Sequence, residues 1–278
     1  MRNLCKGSIV GLVAVLFFSS VVVAQTTPPQ RAPKAQDPGG PAPVRDMNGA
    51  WTGTGLDEGM KPAPPMTPLG QKLFALNKSE SPGSDGKQVP VALSNDPLNT
   101  CDPQGIPRSI THEVRGFQFV QTPTAMWEMF QYQKTWREIW TDGRALPKDV
   151  GGRSADSPDP RFYGYSVGHW NDDDTFVVDT VGTDDRTWLD HPGHPHSVDM
   201  HVLETYTRKD HNDITVSVTI DDPKIYTKSF MITQYNLRWI PKQEFEEQLC
   251  IPSEILQYQS LIAAPTGDPA VAKRLLGK

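Results

Sequence analysis

The chain has 278 residues, with 27 basic and 33 acidic side chains, a formal net charge of −6, 26 prolines and 22 glycines. Acidic overall and without a Lys/Arg run, it offers no electrostatic footprint for a phosphate backbone, which excludes nucleic acid as a partner. There is no Gly-rich phosphate loop and no CxxC pair, so nucleotide-dependent and thioredoxin-like chemistry lack support, and serine-hydrolase chemistry is not expected either.

At the N-terminus, Arg2 and Lys6 precede an uncharged apolar run over residues 7–24 that ends Val-Val-Ala before Gln25. This three-part layout predicts a cleaved secretory signal over residues 1–24. The expected protein is exported, periplasmic or extracellular, with no transmembrane segment in the mature chain. Without Arg2 and Lys6 the balance becomes 25 basic to 33 acidic, or −8, and Cys101 and Cys250 are the only cysteines left. In an oxidising compartment such a pair predicts one disulfide, for which chain entropy suggests about 4–5 kcal/mol.

Residues 25–45 are rich in proline and glycine with almost nothing apolar to bury, so a flexible tether is expected. A single β-rich domain over 46–278 then begins at "DMNGAWTG". In "TPLGQKLFALNK", Thr67 caps and Pro68 opens a short N-terminal helix whose apolar face is Leu69, Leu73 and Leu76. Residues 78–107 read as a long loop pinned at Cys101.

Runs of β-branched and aromatic residues then predict strands near 115–121, 125–132, 135–141, 162–170, 175–182, 199–208, 213–220 and 226–236. Polar turns at 171–174, 209–213 and 221–223 join several of them. No helical crossover separates them, so the expected sheet is an antiparallel, sequentially paired meander that closes into a barrel. A C-terminal helix is expected over 252–264 with Ser253 as its cap.

The segments "NDPLNTCDPQGIPR", "YGYSVGHW", "TFVVDTVG", "TWLD", "GHPHS", "HVLETY" and "VTIDDPKIYT" together resemble a large uncharacterised family of exported bacterial proteins, over about residues 46–251. The resemblance implies that Cys101, Asp179, His194, His196, His201 and Glu204 stand where relatives carry the same residue. It departs at the hairpin after Trp170, where relatives often read Glu-Gly-Asp and this chain reads Asn171, Asp172, Asp173, Asp174. A looser analogy links Gly49-Ala50-Trp51 to the GxW opening of lipocalin-type barrels.

Four of the seven histidines fall within residues 191–201. Pro195 pushes His194 towards extended backbone, so His194, His196 and His201 form a candidate set for a divalent metal such as zinc, iron or manganese. Asp179, His201 and Glu204 are the candidate catalytic groups, although residues 201 and 204 of one regular strand must face opposite sides. Asp179 shares its face with Val177 and Val181, and pairing with Arg186 is the structural alternative to a role beside the histidines.

"MWEMFQYQKTWREIW" supplies Trp127, Glu128, Trp136, Arg137 and Trp140 as candidate binding residues, since aromatic walls with a few polar groups suit sugars, phenolics or other ring-bearing ligands. The leading expectation is an exported β-barrel protein that binds a small ring-containing organic molecule in a pocket near the His loop. One alternative is a metal-dependent hydrolase or lyase built on the histidine set, and another is a non-catalytic, envelope-associated module.

Overall fold

In a computed structural model, the described residues are 39–53, 64–81, 88–111 and 116–263. The expected signal and the tether up to residue 38 lie outside them. Nine strands form one closed barrel in sequence order. They are β1 (Gly49–Gly53), β2 (Gly116–Gln121), β3 (Ala125–Phe130), β4 (Trp136–Trp140), β5 (Tyr165–Trp170), β6 (Thr175–Val181), β7 (His201–Arg208), β8 (Asp213–Asp221) and β9 (Phe230–Trp239). Three short helices, α1 (Pro68–Leu76), α2 (Arg108–Thr111) and α3 (Pro252–Tyr258), stand outside the sheet, the last continued by a π-turn over Gln259–Ala263.

All eight expected strands form, and a ninth, β1, closes the barrel by pairing Trp51 with Phe117 on one side and Trp239 on the other. Two of its five residues are glycine, which hides it from β-propensity. Trp51 is fully buried and donates its indole N–H to Met47 O at 3.0 Å.

Strict alternation fixes which side chains point inward. In β8, Ile214, Val216, Val218 and Ile220 are completely buried, as their spacing predicts, while Thr215, Ser217 and Thr219 face outward. Phe176, Val178, Val202 and Leu237 extend the same core. Burial of an aliphatic or aromatic side chain of this kind contributes about 1.5–3 kcal/mol.

One pairing departs from the expected meander. β4 and β5 run parallel, joined at Ile139↔Ser166 and Trp140↔Val167. Residues 141–164 carry the chain back to the starting end without a helix, because a long irregular crossover serves as well. The ladder is short, so among the described residues Trp136, Arg137 and Glu138 have no pairing partner on β5.

Three smaller expectations also change. Thr67 caps α1 through Gly70 N as predicted, yet Leu69 and Leu76 are exposed, and the helix packs through Gly70 and Leu73 instead. Gly70 is the closest approach, since a Cβ there would lie 2.4 Å from Ile225 O. The C-terminal helix has Ile251, not Ser253, at its cap. It has no buried residue and contacts the 3-10 turn Pro97–Thr100, where Gln259 donates to Asn99 O at 2.8 Å. The end of the expected tether is docked, with Arg45 N donating to Asp173 O and Gln121 Nε2 to Arg45 O.

Cys101 and Cys250 form the expected disulfide, with Cα atoms 5.4 Å apart. It ties the long loop to the segment that precedes α3. No described helix is long and apolar enough to cross a membrane.

Candidate functional site

Register and alternation build a groove on the outer wall. Trp127 on β3 lies directly across from Glu138 on β4, and both point outward. Trp136 and Trp140 share that face, one on each side of Glu138. The crossover supplies residues 144–147 and 161–165, which with the three tryptophans enclose a groove of about 740 Å³. Arg144 lies over the Trp140 ring at 3.4 Å from its centroid, and Arg161 over Tyr165 at 4.2 Å. Gly164 has a φ of +62°, and a Cβ there would stand 2.7 Å from Val181 O. Glycine therefore allows the turn that brings Tyr163 and Tyr165 to the groove.

Trp136 is 60 % exposed. An indole left in water on the wall of a concavity is the kind of surface that ligands cover. Three of the five expected binding residues, Trp127, Trp136 and Trp140, present their side chains to this groove, whereas Arg137 borders it with a side chain that is turned inward and only 1 % exposed. Glu128 does not line it, because it faces the barrel interior.

Behind the wall is a buried charge cluster. Glu128, Arg137 and Glu204 are all at most 3 % exposed. Arg137 donates from Nε to Glu128 Oε2 at 2.5 Å and from Nη1 and Nη2 to the two oxygens of Glu204 at 2.8 and 2.5 Å. Tyr206 adds a hydrogen bond to Glu204 Oε2 at 2.7 Å. Two carboxylates share one guanidinium, so one negative charge is in excess. Burial, opposed by Arg137 and reinforced by Glu204, pushes Glu128 up to about 7. Glu128 Oε1 and the Tyr235 hydroxyl are buried without a hydrogen-bond partner among the described residues. Proton uptake by Glu128 removes the excess charge, which is costly to keep in a low-dielectric interior.

The histidines do not converge. His194 is fully buried, stacks on Phe74 with centroids 4.6 Å apart and places Nδ1 2.7 Å from Asp190 Oδ2. His196 places Nε2 2.7 Å from Thr187 Oγ1 and Nδ1 3.1 Å from Ser197 O, and burial lowers its pKa. His201 points out of the barrel and meets Asp179 Oδ1 at 2.8 Å, with the two side chains 39 % and 29 % exposed. Asp179 is thus on the outer face with Val177 and Val181, paired with His201, whereas Arg186 pairs with Asp184. Glu204 faces inward, opposite to His201, as strand parity requires, and so cannot join a histidine site.

Three ligands must bring donor atoms to one point, and here each imidazole is committed to a different partner. Among the described residues, the group whose donor atoms all lie within 4.8 Å of one another is Glu80, Asp96 and His191. Both oxygens of that Asp96 accept from Arg108, at 2.8 and 2.6 Å, and Arg108 would repel a cation placed beside them.

The His loop does border a second concavity of about 480 Å³, lined by Thr187, His196, Trp188, Asn77 and neighbours. Thr187 also contacts Asp184 O at 3.0 Å. The chain Ser197 O, His196, Thr187, Asp184 O therefore has three contacts, for which a neutral ring and one hydroxyl supply two protons.

Residues 164–168, Gly-Tyr-Ser-Val-Gly, do match the GxSxG pattern, contrary to the expectation that no serine-hydrolase signal is present. The match lacks its structural context, a sharp strand-to-helix turn. Ser166 lies within β5, buried, with Oγ 2.8 Å from Thr180 Oγ1.

Arg144, Arg161, Tyr163 and Tyr165 are groove residues that the sequence did not single out. Their signal was the aromatic and arginine interleaving of "DGR" and "RFYGY", which repeats the character of 126–140 but lies in an irregular crossover with no period.

Fold and site together define a small closed β-barrel with an open-sided, tryptophan-lined groove on its wall. A scan of protein-family models, a search of curated proteins and a search of solved structures each found no match.

Proposed function

We propose that this is an exported β-barrel protein, of the bacterial family its motifs resemble, that binds a ring-containing organic molecule in the groove over β3, β4 and β5. The observation that carries this reading is the outward set Trp127, Trp136 and Trp140, which shares one concavity with Tyr165, Arg144 and Arg161. Flat apolar faces hold a ring, and the guanidinium and carboxylate edges between them take its polar substituents. The groove, not the His-loop pocket, is the better site for a ring, because among the described residues Trp188 is the one tryptophan, tyrosine or phenylalanine in the lining of the latter.

The inward positions support a site on the wall, since large side chains such as Trp51, Phe117, Phe119 and Phe176 are fully buried inside the barrel. The Cys101–Cys250 bond supports an oxidising compartment.

The test is a titration of intrinsic fluorescence with single-ring phenols and sugars, repeated with Trp136→Ala and with Trp188→Phe. Truncating an anchoring tryptophan costs about 2 kcal/mol or more, roughly thirtyfold in affinity. Loss of binding in the first variant alone supports the groove. Loss in the second alone moves the ligand to the His loop and removes this reading.

A further inference from the structure

The groove is longer than a single ring needs. Alternate residues on a strand lie about 7 Å apart, so Trp136 and Trp140 are separated by about 14 Å along β4. Trp127 stands between them, because its cross-strand partner is Glu138. Trp136 and Trp140 thus follow one line along β4, with Trp127 one strand, about 5 Å, to its side, and a six-membered ring that covers one indole does not span the set.

The steps along this line differ in chemistry. At one end Trp136 is 60 % exposed beside Met129, which is itself 44 % exposed. In the middle Trp127 has the Glu138 carboxylate opposite it. At the other end the Arg144 guanidinium covers Trp140 and presents a planar fork of N–H donors, with its own charge paired to Asp142 at 2.6 Å. The remaining wall offers Arg161 over Tyr165. Charges of both signs alternate with flat rings, and neither sign dominates.

An occupant that matches this surface has several linked rings, with C–H faces for Trp136 and Trp127 and hydroxyl edges for Glu138, for Arg161 and for the Arg144 guanidinium that covers Trp140. It carries little net charge, because a polyanion would meet Glu138 and a polycation would meet the two arginines. From these features we infer that the groove takes an extended, neutral glycan chain of about three sugar rings, lying along β3 and β4. This inference rests on the groove being a binding site.

The experiment uses calorimetric titration of the full chain with β-1,4-linked ladders of one to four rings of glucose, xylose and N-acetylglucosamine, alongside single-ring phenols. Affinity is expected to rise at least tenfold from one ring to three in one of the ladders and then to level off. Trp136→Ala, at an exposed position where the fold tolerates truncation, should remove one step of that rise, and Glu138→Gln should weaken the trimer several-fold with no change in circular dichroism. If phenols bind and no ladder strengthens with length, the glycan inference is wrong while the binding reading stands. If neither phenols nor any ladder binds, both are wrong.

Discussion

Arg137 reaches across the barrel interior to Glu204, 67 residues further along the chain, and holds both its carboxylate oxygens at 2.8 and 2.5 Å. Together with Glu128 this contact ties β3 and β4, which carry the tryptophans, to β7 on another part of the wall. Removing one member of a buried, hydrogen-bonded ion pair costs about 3–5 kcal/mol, because the charge left behind has no solvent. Glu204→Gln and Arg137→Met should each lower the urea midpoint substantially, with ring binding weakened because the wall loses its internal brace. Glu128→Gln should be far milder at neutral pH. Equal losses for all three would mean that Glu128 holds a full charge alongside Glu204.

The pH dependence of stability follows from the same cluster. The Glu128 carboxyl titrates near 7 in the folded chain against 4.5 for an ordinary glutamate. The folded state therefore binds more protons between these values, so this group's contribution is complete below 4.5 and is lost as pH rises through about 7. His196 works in the opposite direction: burial lowers its pKa from 6.5, so its contribution is present above 6.5 and falls away as the pH drops below that value. Thermal melts from pH 4.5 to 8 should show Glu128→Gln gaining on the parent chain as pH rises. A constant difference between the two would contradict the assignment.

The Cys101–Cys250 bond joins positions 149 apart in the sequence. Restricting the unfolded chain over that span is expected to contribute about 4–5 kcal/mol. The Cys101→Ser, Cys250→Ser double variant should unfold at clearly lower urea concentration and retain the far-ultraviolet signature of the barrel, because the bond joins segments outside the sheet. Loss of the β signature in the absence of denaturant would show that the barrel depends on it.

The dispersal of the histidines has a direct consequence for metal binding. Adding zinc or manganese should therefore leave the melting temperature unchanged in the parent chain, in His194→Ala and in His196→Ala alike. A response abolished by His196→Ala and preserved in His191→Ala would show that the imidazoles at 194, 196 and 201 converge after all.

Local rules made most of the barrel legible. In β8 the alternation of Ile214, Val216, Val218 and Ile220 with hydroxyl side chains fixes both the strand and its buried face. The same parity placed His201 and Glu204 on opposite sides. What strand patterns do not contain is how strands meet across long connections. The parallel β4–β5 seam depends on residues 141–164, which have no period, and it is this seam that opens the groove and brings in Arg144 and Arg161. The aromatic wall was visible because its tryptophans sit in regular strands. The histidine cluster was misleading because closeness in sequence does not bring donor atoms together: Asp190, Thr187 and Asp179 each claim one ring.

The seven tryptophans provide the most direct test. Trp127, Trp136 and Trp140 line the groove, Trp188 lines the His-loop pocket, and Trp51 is in the core. With indole N–H resonances assigned by substitution, ligand titration followed by two-dimensional NMR should shift the first three signals together and leave Trp188 and Trp51 in place. Movement of Trp188 with Trp127, Trp136 and Trp140 unchanged would contradict the groove as the binding site.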